Sequence, residues 1–224
     1  MTGASTFMRA WVAPWLLMWA SALSAQQAYE NALTIEQGGK EIGREEYSIQ
    51  RGSGQSATVI KGYARYPTTS PKLQIALTLE RSPTAGIAKF ELDVQAPEGN
   101  VVILAAGSGA RLIVRSVTKG SEAGRELPGG KDLVLLDENM YSLYLQLVDA
   151  ATPSGARLTA IYPRTGRRAT LVARRDAGSN GTVQVQMTGE VSGMLTVDAQ
   201  GRLQRLELSG SGIVVSPTAP PAKK

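Results

Sequence analysis

The chain contains neither histidine nor cysteine. Histidine is the usual general base near neutral pH, and together with thiolate it supplies most zinc and copper ligands. Their joint absence confines enzymatic readings to Ser/Lys or carboxylate chemistry. It also means that no disulfide braces the fold and that no lipobox cysteine can be acylated. Aromatic residues are few, at 5% of the chain. Trp11, Trp15, Trp19 and Phe7 all lie in the first 25 residues, so the remainder keeps Phe90 and seven tyrosines. Without clustered flat rings there is little to stack on sugars or bases, which argues against a lectin or a single-strand nucleic-acid binder. The net charge of +5 is too mild to call for nucleic acid.

The N-terminus follows the three-part plan of a secretory signal. Arg9 is its only charge, the apolar run Ala10 to Ala20 follows, and small residues come next. Ala20-Ser21-Ala22 fits the A-x-A cleavage pattern, and Ser24-Ala25 offers a second cut just before polar Gln26; cleavage after Ala25 is the expectation. The alternative is an uncleaved anchor helix. Pro14 interrupts the stretch, however, and a spanning helix needs about 20 apolar residues. No stable transmembrane segment is therefore expected after cleavage, and the expected location is periplasmic or secreted. The Ala- and Arg-rich composition has a bacterial character. About 200 residues remain, enough for one sizeable core.

From Leu33 almost to the C-terminus, short apolar/polar alternations recur between Gly- and Pro-marked turns. Period-two patterning of this kind predicts antiparallel strands. Leu73, Ile75, Leu77 and Leu79 alternate with Gln74, Ala76, Thr78 and Glu80; Val183, Val185 and Met187 alternate with Gln184 and Gln186. Gly38-Gly39, Pro97 to Asn100, Asn180-Gly181 and Asp198 to Gly201 carry turn residues between such runs. The expected fold is mainly β: a single antiparallel curled sheet, half-barrel or barrel-like, of about ten to twelve strands over residues 26–216, with a loose Pro-rich tail at 217–224. One helix is predicted near 137–149. Met140, Leu143, Tyr144, Leu147 and Val148 share a helical face, Asp137 offers an N-cap, and Tyr141 and Leu145 add a second apolar stripe. A helix greasy on two sides fits inside a curved sheet.

Several local patterns have plain structural explanations. Gly52-Ser53-Gly54 and Gly107-Ser108-Gly109 mimic nucleophile contexts, but neither is G-x-S-x-G and no histidine serves them. Glu45 and Glu46 are adjacent on a predicted strand and must point to opposite faces, so they cannot flank one glycosidic bond. Ser108 to Leu112 and Ser154 to Leu158 spell the same pentapeptide, as two strands entered from similar turns would. Asn180-Gly181-Thr182 satisfies a glycosylation sequon and equally an Asn-Gly hairpin turn. Arg164, Arg167, Arg168, Arg174 and Arg175 crowd one predicted hairpin. They form a candidate patch for an anionic partner such as lipid phosphate, or else a solvated edge that resists strand pairing.

The exported, cysteine-free single-sheet layout with an inserted helix resembles the periplasmic lipoprotein-carrier superfamily, whose unclosed barrels cradle lipid tails. Gly39-Lys40-Glu41-Ile42-Gly43-Arg44-Glu45-Glu46-Tyr47 is similar to the first hairpin of exported β proteins of that kind. Leu135 to Met140 followed by Tyr144 resembles β accessory domains that precede secreted α/β-hydrolases. The first resemblance implies a hydrophobic-ligand carrier for a lipid or acyl chain, with Met140, Tyr144 and Leu147 lining the site. The second implies a non-catalytic structural or interaction module with an envelope protein partner. No cofactor, metal site or catalytic residue is expected from either.

Overall fold

The computed structural model describes residues 29–54 and 56–218. The expected signal segment (residues 1–25) and the residues after 218 lie outside the described residues. Alternating sequence produces alternating burial: in the strand Thr58–Tyr66, every second residue from Thr58 through Ile60, Gly62 and Ala64 to Tyr66 points inward. Fifteen strands of this type form one sheet among the described residues. They are β1 (Asn31–Gln37), β2 (Lys40–Gln50), β3 (Thr58–Tyr66), β4 (Leu73–Ser82), β5 (Gly86–Gln95), β6 (Val101–Ser108), β7 (Arg111–Thr118), β8 (Ser121–Pro128), β9 (Leu133–Leu135), β10 (Ala156–Ile161), β11 (Arg168–Ala177), β12 (Val183–Gly189), β13 (Gly193–Val197), β14 (Leu203–Leu208) and β15 (Ile213–Pro217).

The single, mainly antiparallel, unclosed sheet agrees with the sequence, whereas the expected count of ten to twelve strands is too low. The reason is local. β9 is too short for alternation to be visible. β8 buries only Leu127, so its period is hidden among polar residues. The tail expectation also shifts: Pro217 pairs with Leu33, and the Thr218 N–H donates to the Ala32 carbonyl at 2.8 Å.

The strand order is β8-β7-β6-β5-β4-β3-β2-β1-β15-β14-β13-β12-β11-β10-β9. Two meanders are thus joined where the first and last strands pair, and the sheet edges, β8 and β9, come from mid-chain. Tight turns keep sequence neighbours paired. Gly38 and Gly39, at φ of 60° and 79°, form the two-residue β1–β2 turn, a left-handed conformation that glycine adopts without a Cβ clash. Asn180 and Gly181 likewise take positive φ between β11 and β12. Register shifts at Ile35/Glu36, Glu80/Arg81 and Thr196/Val197 each add local twist and bend to a strand, which helps roll the sheet. β8 reaches across to the far end of the strand order without pairing there: Arg125 donates to the Pro163 carbonyl, just past β10, at 2.8 Å.

Rolling places Leu33, Ile35, Ile60, Ile75, Leu79, Phe90, Leu92, Val185, Leu195 and Val215 on one inner surface, nearly all fully buried. Each such side chain contributes roughly 1.5–3 kcal/mol of burial. The sheet alone cannot fill so wide a curl. The chain between β9 and β10 fills it, as a 3-10 turn (Tyr141–Leu145) running directly into a helix, α1 (Gln146–Ala150). Met140, Leu143, Leu145 and Leu147 on this plug have no exposed surface.

Candidate functional site

The plug enters beside β9, which lies parallel to β10, crosses to one mouth of the curl, and returns through the interior as a helical segment. The first mouth is formed by the β1–β2, β10–β11, β12–β13 and β14–β15 turns. The second mouth, at the other end, includes the β2–β3 and β4–β5 turns. The sequence predicts a helix from Asp137, but helical geometry starts at Tyr141, and Met140 occupies the N-cap without a side-chain cap. Asp137 is engaged elsewhere. Its two oxygens take the Arg164 guanidinium at 2.6 and 2.8 Å, and one also accepts the Asn139 N–H at 2.8 Å. A bidentate pair in which the carboxylate is buried outweighs a local cap.

The cap comes from the wall instead. Glu45 of β2 is completely buried and accepts the N–H groups of Tyr141 at 2.7 Å and Ser142 at 3.0 Å. Helix starts leave such donors unpaired, so one carboxylate satisfies two of them. Burial raises the Glu45 carboxyl to about 7, because desolvation outweighs the opposing pull of these donors. Glu46, on the other face, meets Arg65 at 2.8 Å near solvent, as strand alternation requires. Gly62 lets the plug lie close to β3: a Cβ there would sit 2.8 Å from Met140 Cε and 3.3 Å from Glu45 Oε1.

Further contacts hold the rest of the plug. The Gln146 amide accepts from the Leu135 N–H at 3.2 Å and donates to the Leu135 carbonyl at 2.6 Å, like an added strand segment against β9. Near the second mouth, buried Arg81 of β4 donates to the carbonyls of Leu133, at 2.7 Å, and Lys131. Arg175 donates to the Val148 carbonyl at 3.3 Å, and Asp149 takes Arg51 at 2.7 Å and the Thr58 hydroxyl at 3.2 Å.

A cleft of about 500 Å³ opens at the first mouth. Tyr141, Tyr144, Tyr162, Ile42, Val191, Leu208 and Ile213 supply its apolar wall, and Glu138, Arg167 and Glu190 its polar rim. The Tyr141 and Tyr144 rings stack at 6.3 Å, and the Arg167 guanidinium lies 3.7 Å above the Tyr162 ring. Burial pushes the Tyr141 and Tyr144 phenols well above their ordinary value, keeping both neutral.

Of the three residues predicted to line a ligand site, Tyr144 reaches this cleft, while Met140 and Leu147 pack inside the curl. The five arginines do not form one patch. Arg164 is tied to Asp137, Arg167 covers Tyr162, and Arg168 is exposed at the first-mouth end of β11. Arg174 pairs with Asp176 at 3.1 Å, and Arg175 lines the second mouth. Six residues of strand, about 20 Å, separate Arg168 from Arg174. Sequence reasoning missed Glu45, Gly62, Arg81, Tyr141 and Tyr162 as organising residues.

No family model, curated protein or solved structure matches this chain. Among the described residues, no helix is long and apolar enough to cross a membrane, and no three acidic side chains gather as a metal site.

Proposed function

We propose that this is an exported bacterial binding protein of the periplasm or cell exterior that holds the apolar part of a lipid or other acyl-bearing ligand, without catalysis. The observation that carries this reading is the first-mouth cleft. A concave wall of three tyrosines and four aliphatic side chains, with a few polar groups at the rim, is the usual composition of a small-molecule site, and about 500 Å³ is within the usual size. The plug fills the interior, so the ligand lies across the mouth rather than threading the curl. The rim carries Arg167, which meets Glu138 at 3.8 Å, together with Glu190, and these groups suit a polar head group beside the apolar tail. Carrier-like handling, as the sequence resemblance implies, is part of the same proposal.

The test is titration with a fluorescent fatty acid, together with mass spectrometry of an organic extract of the purified protein. Saturable uptake is expected, and Leu208→Trp, which crowds the cleft from β14, should weaken it at least tenfold. A lipid-free extract with no uptake overturns the reading. One observation favours a different role: the plug leaves Met140, Leu143 and Leu147 without exposed surface, as a structural or interaction module with a filled core would require. That reading predicts a stable envelope partner in pull-downs and no response to fatty acid.

A further inference from the structure

The second mouth has a chemistry unlike the first. Its cleft, about 420 Å³, includes Arg81, Lys131 and Arg175 with the hydroxyls of Thr58 and Thr152. Two carboxylates are also present, but Asp149 is committed to Arg51 and Thr58, which leaves Asp132 to face three cations. Arg81 is 5% exposed, and its identified partners are two backbone carbonyls, so most of its five N–H donors are unspent. Arg175 likewise spends one donor on a carbonyl. Among the described residues, none of the three cations forms an ion pair with a carboxylate.

A guanidinium removed from water without an anionic partner is costly, and the cost falls when an anion occupies the space in front of it. Burial draws the Arg81 guanidinium below its ordinary value, with the Asp149 and Asp132 charges opposing the shift. The planar donor fork of arginine matches the paired oxygens of a phosphoryl or carboxylate group, and lysine adds a point charge. Pro83, Ala150 and Ala156 are the only apolar side chains among the residues lining this cleft, whereas the first is walled by tyrosines and larger aliphatic side chains.

We infer that the second mouth is an oxyanion site, in which Arg81, Lys131 and Arg175 take a phosphoryl group carried on a small polar body. This site is independent of the tyrosine cleft and does not require that cleft to bind lipid. The phosphoryl group could be that of a soluble phosphomonoester or of a phospholipid head group, and the experiment distinguishes them.

The thermal midpoint of the purified protein is followed against inorganic phosphate and glycerol phosphate, with sodium chloride at matched ionic strength as the control. Flotation with phosphatidylglycerol vesicles is measured in parallel. A saturable rise with a phosphate probe is expected. Arg175→Gln and Lys131→Gln, both at exposed positions, should each raise the half-saturation concentration about tenfold. Arg81 is left intact because its loss would also release β9. Saturation by the soluble probes without flotation identifies a soluble ligand; flotation lost in both variants, with the soluble probes inert, identifies a head group. Responses no larger than those to chloride, without flotation, overturn the inference, as do variants that behave as wild type.

Discussion

The two mouths of the curl solve the same problem with opposite charges. At the first mouth, the helical segment begins with N–H groups that have no helical acceptor, and the wall answers with a buried carboxylate, Glu45. At the second, carbonyls at Val148, Leu133 and Lys131 end or flank the plug, and the wall answers with the guanidiniums of Arg175 and Arg81. The plug carries almost no capping side chains of its own. Its polarity is matched by inward-facing charges on the sheet, so these charges anchor the plug first, and any binding chemistry at the mouths is built around the anchors.

The largest expected effect comes from removing the first-mouth anchor. Glu45→Ala leaves two buried N–H donors unpaired and opens a small void, for a loss of about 2–5 kcal/mol. Glu45→Gln keeps an amide oxygen as acceptor and should lose less than half as much. Urea denaturation at pH 5 checks both. Equal losses would mean that the void adds nothing and that an amide cannot replace the carboxyl as acceptor; losses near zero in both would break the parallel between the two mouths.

Next comes pH, where the mouths should differ in kind. The folded-state pKa of Glu45, about 7, lies above the ordinary value of 4.5, so the native protein binds more protons than the unfolded chain between those values. Stability from this group is fully present below about pH 4.5 and is lost as the pH rises through about 7, by at most about 3 kcal/mol. Glu45→Gln should flatten that part of the profile. Arg81→Met should destabilise by about 2 kcal/mol, through its lost charge-assisted hydrogen bonds, and leave the shape of the profile unchanged. A slope between pH 4.5 and 7 that persists in Glu45→Gln would assign the titration to another group.

Much of this arrangement was legible in the sequence, but as pattern rather than as partnership. The alternation of Leu73 to Leu79 places those side chains inward, and continuing it by one step puts Arg81 inside as well. In β2, the same rule points Gly43, Glu45 and Tyr47 inward. An inward charge was therefore readable at both positions. Its partner was not, because Glu45 and Tyr141 are 96 residues apart and meet only after the sheet has rolled. The helix starts later than local rules suggest for a related reason: they favour Asp137 as a cap, and Arg164, 27 residues away, claims it. The arginine cluster looked continuous in sequence because strand length is invisible there, and β11 carries its members to opposite ends. The tyrosine cleft combines side chains from the plug, a turn and several strands, and no single segment announces it.

The smallest effect concerns how closely the first anchor is seated. A Cβ on Gly62 would lie 2.8 Å from Met140 Cε, 3.1 Å from Ser142 Oγ and 3.3 Å from Glu45 Oε1. The closest of these atoms is the free end of a flexible side chain, so Gly62→Ala should cost only about 1–2 kcal/mol, at the low end for overpacking. The same substitution in a Met140→Ala background should be nearly neutral, because the space vacated by the thioether accepts the new methyl. Denaturation of the two single variants and the double variant measures this coupling. An undiminished cost in the Met140→Ala background would locate the pressure at Ser142 and Glu45. The carboxylate anchor would then be held in a tighter seat than Arg81, whose position depends on hydrogen bonds to β9 and the loop before it.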